Sequence, residues 1–347
     1  MRATIMDNSG SVSLQEVPDP ELVHDDDAIV RITASCVCGS DLHPYHSGLG
    51  AVASKPAGHE FVGVVERVGS SVSKLAVGDF VVAPFAISDG TCVHCLNGVT
   101  TSCLRGTFWG GKDESGVEVG GGQAELVRVP LADGTLVPVG GSVDDALVPH
   151  LLALSDVMGT GHHAAVSAGV TKGSSVVVVG DGAVGLCGVL AADRLGASRI
   201  IVMSRHPARQ EVARSFGATD IVDSRGEAGV AAVRELLDGI GADSVLECVG
   251  SQGSMDQAVG SARPGGRIGF VGAPSGGLPT GPLFRHDLHY AGGVAPVRTY
   301  LPELLHDVLE GTLRPGAVFD AVLPLADVTE GYAAMDERRA IKAMLRP

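Results

Sequence analysis

Residues 175–205, SVVVVGDGAVGLCGVLAADRLGASRIIVMSR, decide the fold. Four valines run into Gly180-Asp181-Gly182-Ala183-Val184-Gly185, an apolar helical pattern follows, and a second strand ends at Met203. This is G-x-G-x-x-G set between a buried strand and a helix, the context in which the pattern binds a dinucleotide. Gly180 permits the tight turn, Gly182 admits a pyrophosphate to the backbone, and Gly185 lets the helix sit close to the sheet. The first helical residues, Ala183, Val184 and Gly185, present amide N–H groups and partial positive charge to the phosphates.

Working outward, the rhythm on either side of this stretch differs. From about residue 150, predicted strands at 175–179, 199–203, 220–222, 243–248, 267–271 and 289–294 alternate with predicted helices near 183–195, 207–216, 227–237 and 253–262. Repeated β-α units imply the α/β class, with a doubly wound parallel sheet and ligands at the carboxyl ends of its strands. After Ala295 a helix over 301–310, a short strand over 318–324 and a terminal helix and strand follow. Before residue 140 the chain instead alternates in short runs such as Ala28-Ile29-Val30-Arg31-Ile32, broken by Pro18, Pro20, Gly69 and Gly78. That pattern predicts an irregular β-rich domain, without helical periodicity before about residue 143.

The totals narrow the function. The 347 residues suffice for two domains, and 45% hydrophobic with 19% charged residues describes a soluble globular chain. A net charge of −15 with no Lys/Arg cluster argues against a nucleic-acid partner. No apolar run reaches spanning length and no signal pattern opens the chain, so a cytoplasmic location with no membrane partner is expected. The seven cysteines then read as metal ligands or buried thiols before disulfides.

Two stretches concentrate metal-ligand chemistry. Cys38-Gly39-Ser40-Asp41-Leu42-His43 is followed some twenty residues later by Gly58-His59-Glu60. Thiolate, imidazole and carboxylate are the donors zinc takes, and a catalytic zinc keeps one position open. The second stretch spaces Asp89, Cys92, Cys95 and Cys103 as D-x2-C-x2-C-x7-C, either a closed tetrahedral zinc site or a metal-free lobe with three thiols. Cys36, Cys187 and Cys248 read as buried thiols.

With Cys38-Gly39-Ser40-Asp41, Gly58-His59-Glu60 and Gly180–Gly185 in this order and spacing, the chain resembles the zinc-dependent alcohol dehydrogenases of the medium-chain dehydrogenase/reductase family. The resemblance runs over essentially the whole chain. It implies a GroES-like catalytic domain over 1–152 with a metal lobe, a Rossmann domain over 153–294, and a C-terminal return to the catalytic domain over 295–347. It also implies a catalytic zinc on Cys38 and His59, with a third ligand on the helix that reads Leu154-Ser155-Asp156-Val157-Met158-Gly159-Thr160-Gly161. Better-known members have a cysteine there. This chain has Asp156, similar to bacterial NADP-linked secondary alcohol dehydrogenases; the alternative makes Asp156 a helix N-cap. Glu60 resembles the family's fourth ligand, which either binds zinc or stands back when substrate or water enters; Asp41 resembles the carboxylate that orients the histidine ligand, and Asp89 with Cys92, Cys95 and Cys103 the structural zinc site. Ser40 and His43 match the proton relay, in which zinc would stabilise the alkoxide and Ser40, the ribose and His43 would carry the proton out.

For the cofactor, the second strand ends in Ser204 and Arg205 rather than in the acidic residue that bonds a ribose 2′-hydroxyl. With Arg209 one turn on, this favours NADP, NAD being the alternative; Arg205 as a solvated loop charge is the plainer reading. The substrate is expected to be a small alcohol or its aldehyde or ketone, among Ser40, His43, Phe85, Trp109 and Asp156, with Trp109 either a pocket wall or a packing anchor. The segment Pro296–Tyr300 is a candidate to reach the cofactor. Rival functions are a zinc-free quinone or enone reductase on the same fold, which the Cys38/His59 pair opposes, and a non-catalytic NADP-binding sensor. The resemblance further implies a homodimer or homotetramer joined near 289–294.

Overall fold

The computed structural model describes residues 1–50 and 54–347. The chain divides into two compact units, one of Met1–Asp156 with Pro296–Pro347 and one of Val157–Ala295.

In the second unit the valine run forms the strand Ser175–Val179, whose Val176, Val177 and Val178 are fully buried. Burial on both faces is why the strand reads as a continuous apolar run rather than an alternating one. The sheet order is Asp220–Val222, Arg199–Met203, Ser175–Val179, Ala242–Glu247, Ala262–Phe270 and His289–Gly292, every pairing parallel. Strand order reverses between Ser175–Val179 and Ala242–Glu247, so the glycine turn leaves the sheet at its topological switch point. Helices Ala183–Arg194, Pro207–Ser215, Gly226–Leu236 and Gln252–Ser261 supply the crossovers. Ser251 caps the last of these by accepting from the Ser254 N–H at 3.2 Å.

The first unit is β-rich. Its main sheet runs Val137–Pro138, Phe80–Ala83, Phe61–Val68, Ala28–Cys36, Ala343–Arg346 and Ala321–Pro324, with Leu126–Val129 also paired to Ala28–Cys36. The C-terminal strand Ala343–Arg346 pairs antiparallel with the end of Ala28–Cys36, placing Met344 opposite Cys36. That pairing brings the chain terminus to the strand that leads into Cys38. Trp109 lies in this unit's core, edge-on to Phe61 at 4.9 Å, and its indole N–H donates to the Pro84 carbonyl at 2.9 Å. Its indole therefore serves as a packing anchor.

Several details depart from the sequence reading. Short helices occur at Leu42–Ser47, Val93–Leu96 and Ala132–Thr135, before residue 143; four to six residues are too few to leave a helical period. The tail helix spans Val297–Leu309 with Pro302 inside it, so it starts four residues before the 301 expected from the sequence. The expected strand over 318–324 is confined to Ala321–Pro324 because Pro315–Val318 forms a 3₁₀ turn. Cys36 and Cys187 are buried as expected, whereas Cys248 is only partly so. Pro296–Tyr300 lies in the first unit, where Arg298 Nε donates to the Gly134 carbonyl at 3.0 Å and Thr299 Oγ1 to that of Gly98 at 3.1 Å.

Candidate functional site

Three separated segments of the first unit bring Cys38, His59, Glu60 and Asp156 together, one donor atom of each lying within 4.8 Å of the others. Cys38 follows the strand Ala28–Cys36, and His59 and Glu60 precede its neighbour Phe61–Val68. Asp156 sits in the break between the helices Val148–Ala153 and Val157–Ser167. It therefore lies ahead of the second helix rather than on it, which corrects the continuous helix expected over 154–161. The break is locally caused: Ser155 Oγ donates to the Leu152 carbonyl at 2.6 Å, and the Ser155 carbonyl accepts from the Phe85 N–H at 3.1 Å.

The spacing matches one ion. Tetrahedral ligands at zinc distances lie about 3.3–3.8 Å from one another. Here Cys38 Sγ is 3.9 Å from Asp156 Oδ2, and His59 Nε2 is 3.5 Å from Asp156 Oδ2 and 3.9 Å from Glu60 Oε1. The charges call for a cation as well. Burial pushes the Cys38 thiol and the Glu60 carboxyl up, and each is raised further by a neighbouring acidic group. Burial alone would lower the His59 imidazole. The Asp41 and Cys38 charges, with hydrogen bonds to Asp156 and Asp41, outweigh it and hold His59 well above the ordinary histidine value. A cation among these donors would replace that proton. Glu60 Oε2 is also buried with no hydrogen-bond partner among the described residues, so the donor set fits zinc.

The supporting groups fix each donor. Asp41 Oδ1 lies 3.3 Å from His59 Nδ1, leaving Nε2 toward the cluster, and Asp41 Oδ2 accepts from the Cys38 N–H at 3.0 Å. Gln123 Nε2 donates to Asp41 Oδ2 at 3.4 Å and to the Cys36 carbonyl at 3.1 Å, and Tyr332 donates to Gln123 Oε1 at 3.2 Å. Glu60 Oε1 is held by Lys342, buried on the C-terminal segment, at 2.7 Å. The same ammonium donates to the Val37 carbonyl at 3.2 Å. Neither Lys342, Gln123 nor Tyr332 stands out in the sequence; a lysine in the otherwise apolar run Ala340–Leu345 is the only trace.

In the second unit, Gly180 turns with φ +115° and Gly182 caps the helix Ala183–Arg194 without a side chain. A Cβ on Gly185 would lie 2.0 Å from the Gly180 carbonyl oxygen, whereas one on Gly182 would meet nothing within 4 Å. The turn thus packs tightly beneath and leaves open space above its middle glycine, room for a pyrophosphate. Residues 24–140 match the alcohol dehydrogenase GroES-like domain, and residues 183–309 match the zinc-binding dehydrogenase domain. A probable zinc-binding alcohol dehydrogenase of Mycobacterium tuberculosis is 35% identical over all of this chain and 89% of its own length. The chain belongs to the zinc-binding alcohol dehydrogenase family.

Other relatives agree with this placement. Sorbitol dehydrogenase of Bacillus subtilis is 32% identical over 79% of this chain and 76% of its own. The solved alcohol dehydrogenase of Thermus sp. ATN1 superposes with a TM-score of 0.90 at 35% identity, over 100% of this chain and 99% of that one. As a member of this family the chain is an oxidoreductase that uses zinc and a nicotinamide cofactor. No helix among the described residues is long and apolar enough to cross a membrane.

The remaining expected site residues are placed as follows. Ser40 and His43 are both exposed, and no hydrogen bond joins them among the described residues. Phe85 stands edge-on to His59 at 6.4 Å and stacks on Phe108 at 6.3 Å. Asp89, Cys92, Cys95 and Cys103 cluster within 4.8 Å, with Cys92 Sγ 3.9 Å from Cys103 Sγ. Asp89 Oδ1 accepts from the amides of Thr91 at 2.8 Å and Cys92 at 2.9 Å. Its carboxyl is held at about 2: burial opposes the shift, and those two amides outweigh it. His94 is exposed and outside the cluster. Ser204 is buried and Arg205 exposed. The absence of a carboxylate beside Ser204, expected from the strand's own residues, does not hold. Asp181 of the glycine turn accepts from Ser204 Oγ at 2.8 Å, and Arg209 Nη1 lies 3.5 Å from its Oδ1.

Proposed function

We propose that this protein transfers hydride between a small alcohol, or its aldehyde or ketone, and NADP(H), with Cys38, His59 and Asp156 holding the catalytic zinc. The observation that carries this reading is the buried Cys38/His59/Glu60/Asp156 cluster, whose spacing and excess of acidic groups suit one zinc ion. When bound, zinc supplies the Lewis acidity that makes a hydroxyl proton labile near neutral pH, and the nicotinamide takes the hydride. Glu60 would be the fourth ligand, and its Oε1 bond to Lys342 gives it a place to stand back when substrate or water enters. Asp41 holds the His59 tautomer with Nε2 free for ligation. The Ser40 hydroxyl accepts the substrate proton and His43 delivers it to water; because the two are not bonded to each other, a third hydroxyl must complete the path. Phe85 and Phe108, stacked beside His59, offer an apolar wall for the substrate's carbon chain.

Residues 153–294 act in this reading as the cofactor domain, and 1–152 with 295–347 as the catalytic domain. Gly180, Gly182, Ala183, Val184 and Gly185 cradle the pyrophosphate, and Ser204, Arg205 and Arg209 receive the 2′-phosphate. Asp89, Cys92, Cys95 and Cys103 hold a second, structural zinc. The edge strand His289–Gly292 supports assembly into a homodimer or homotetramer, and a monomer by light scattering at working concentration would overturn that. The test of the activity is a panel of alcohols, ketones and enones with each cofactor, followed by absorbance of the reduced nicotinamide. Alcohol oxidation that stops on zinc removal is expected; turnover confined to enones and indifferent to chelation would contradict it.

A further inference from the structure

The glycine turn carries a charge that its fingerprint does not require. Asp181 is the second residue of the pattern, is 6% exposed, and engages two side chains at the end of the strand Arg199–Met203. Ser204 Oγ donates to its Oδ2 at 2.8 Å, and Arg209 Nη1 lies 3.5 Å from its Oδ1 and 3.5 Å from its backbone carbonyl oxygen. Ser204 is itself fixed: its N–H donates to the Val222 carbonyl at 3.0 Å, and its carbonyl accepts from Gln210 Nε2 at 2.8 Å. A carboxylate therefore stands where a dinucleotide fold discriminates the ribose, but it arrives from the turn rather than from the strand. Arg205 is exposed and makes no hydrogen bond or ion pair among the described residues.

We infer that Asp181 sets the choice between the two nicotinamide dinucleotides and acts against the 2′-phosphate. The inference rests on the reading that Ser204, Arg205 and Arg209 receive the ribose 2′ substituent. A 2′-hydroxyl is a neutral donor that a carboxylate can accept, whereas a phosphate monoester carries nearly two negative charges and accepts only. Of the three groups that could receive that phosphate, two already serve Asp181. The phosphate either draws Ser204 and Arg209 away, leaving a buried carboxylate beside a like charge, or settles on Arg205 alone. Both outcomes penalise NADP(H) and spare NAD(H). Arg205 supplies the attraction to the phosphate and Asp181 limits it.

The test is direct binding of NADPH and NADH to the zinc-loaded protein, read by fluorescence of the reduced nicotinamide, for the parent and for Asp181→Asn. The isosteric amide removes the charge and keeps the shape. The ratio of Kd for NADH to Kd for NADPH is expected to rise about tenfold, mainly through tighter NADPH. A rise of less than about threefold, or a fall, overturns the inference. Asp181→Ser provides a second variant, and both are first checked for an unchanged Tm without cofactor. Arg205→Ser separates the two claims: if it leaves NADPH affinity unchanged, the assignment of the 2′ site fails, whatever Asp181→Asn does.

Discussion

Cys38 and Asp156 lie 118 residues apart in sequence, whereas Asp89, Cys92, Cys95 and Cys103 come from one loop. Both groups present four donors within 4.8 Å, and both use one aspartate. They differ in what surrounds them. The first mixes sulfur, nitrogen and oxygen, is largely buried, and is braced by Asp41 of the Cys38 segment and by Lys342, Gln123 and Tyr332 from other segments. The second is three thiols and a carboxylate, with Cys95 buried and the other three half-buried, braced mainly by its own backbone amides. In a distant, mixed set a donor residue can carry a further bond of its own, as Glu60 does through Oε1 to Lys342 at 2.7 Å. A local set of this kind has the donors to staple its own loop. In the proposed reading, the first set works on substrates and the second holds shape.

The largest effect should come from Cys38→Ser. Loss of one ligand from the mixed cluster is expected to lower alcohol turnover at least a thousandfold, about 4 kcal/mol of transition-state stabilisation, and to leave about one zinc per chain by elemental analysis. Retained turnover would break the contrast outright. Lys342→Met strips Glu60 of its buried ammonium partner and is expected to destabilise the metal-free protein by about 3–5 kcal/mol, with zinc recovering part of the loss. Tm measured with and without zinc checks both halves.

Cys95→Ser sharpens the other side of the comparison. It should release the lobe's zinc and lower Tm, while kcat per remaining zinc stays within about twofold of the parent. A collapse of kcat with the mixed cluster still loaded would show that the lobe does more than staple.

The smallest effect is expected at a buried charge group that needs no metal. Arg128 is 4% exposed and pairs with Asp27 at 3.0 Å and Asp113 at 2.8 Å. Burial opposes it, but the Ser115 hydroxyl and the Arg128 guanidinium hold the Asp113 carboxyl well below its ordinary value of 3.8. A folded value lowered in this way stabilises the protein above pH 3.8 and loses its contribution as the pH falls through the folded value. Asp113→Asn should therefore cost about 1–3 kcal/mol at pH 7, and the gap from the parent should close as acid is added. Urea unfolding at several pH values, with and without a chelator, checks this; a chelator-dependent gap would contradict it.

What the sequence made legible follows the same division between local and distant. The strand Ser175–Val179, its glycine turn and the helix Ala183–Arg194 are contiguous, so burial and backbone geometry leave their mark within one stretch. The D-x2-C-x2-C-x7-C spacing is legible for the same reason. Cys38 and His59 are readable only through resemblance to a family, since nothing in the intervening residues states that their strands pair. Lys342 lies 282 residues from the Glu60 it holds, and no pattern joins them. Asp181 carries no mark within the glycine pattern because its partner Ser204 is 23 residues away, across two strand ends. The break at Asp156 leaves no trace in the sequence because the Ser155 hydroxyl competes for a helical carbonyl, a contact that apolar periodicity does not record.

The most direct test is anomalous scattering at the zinc edge from crystals of the same preparation whose turnover has been measured. A peak about 2.0–2.3 Å from Cys38 Sγ, His59 Nε2 and Asp156 is predicted, with a second in the Asp89 lobe. Full alcohol turnover in a preparation with no peak beside Cys38 would contradict the assignment of that cluster as the catalytic metal centre.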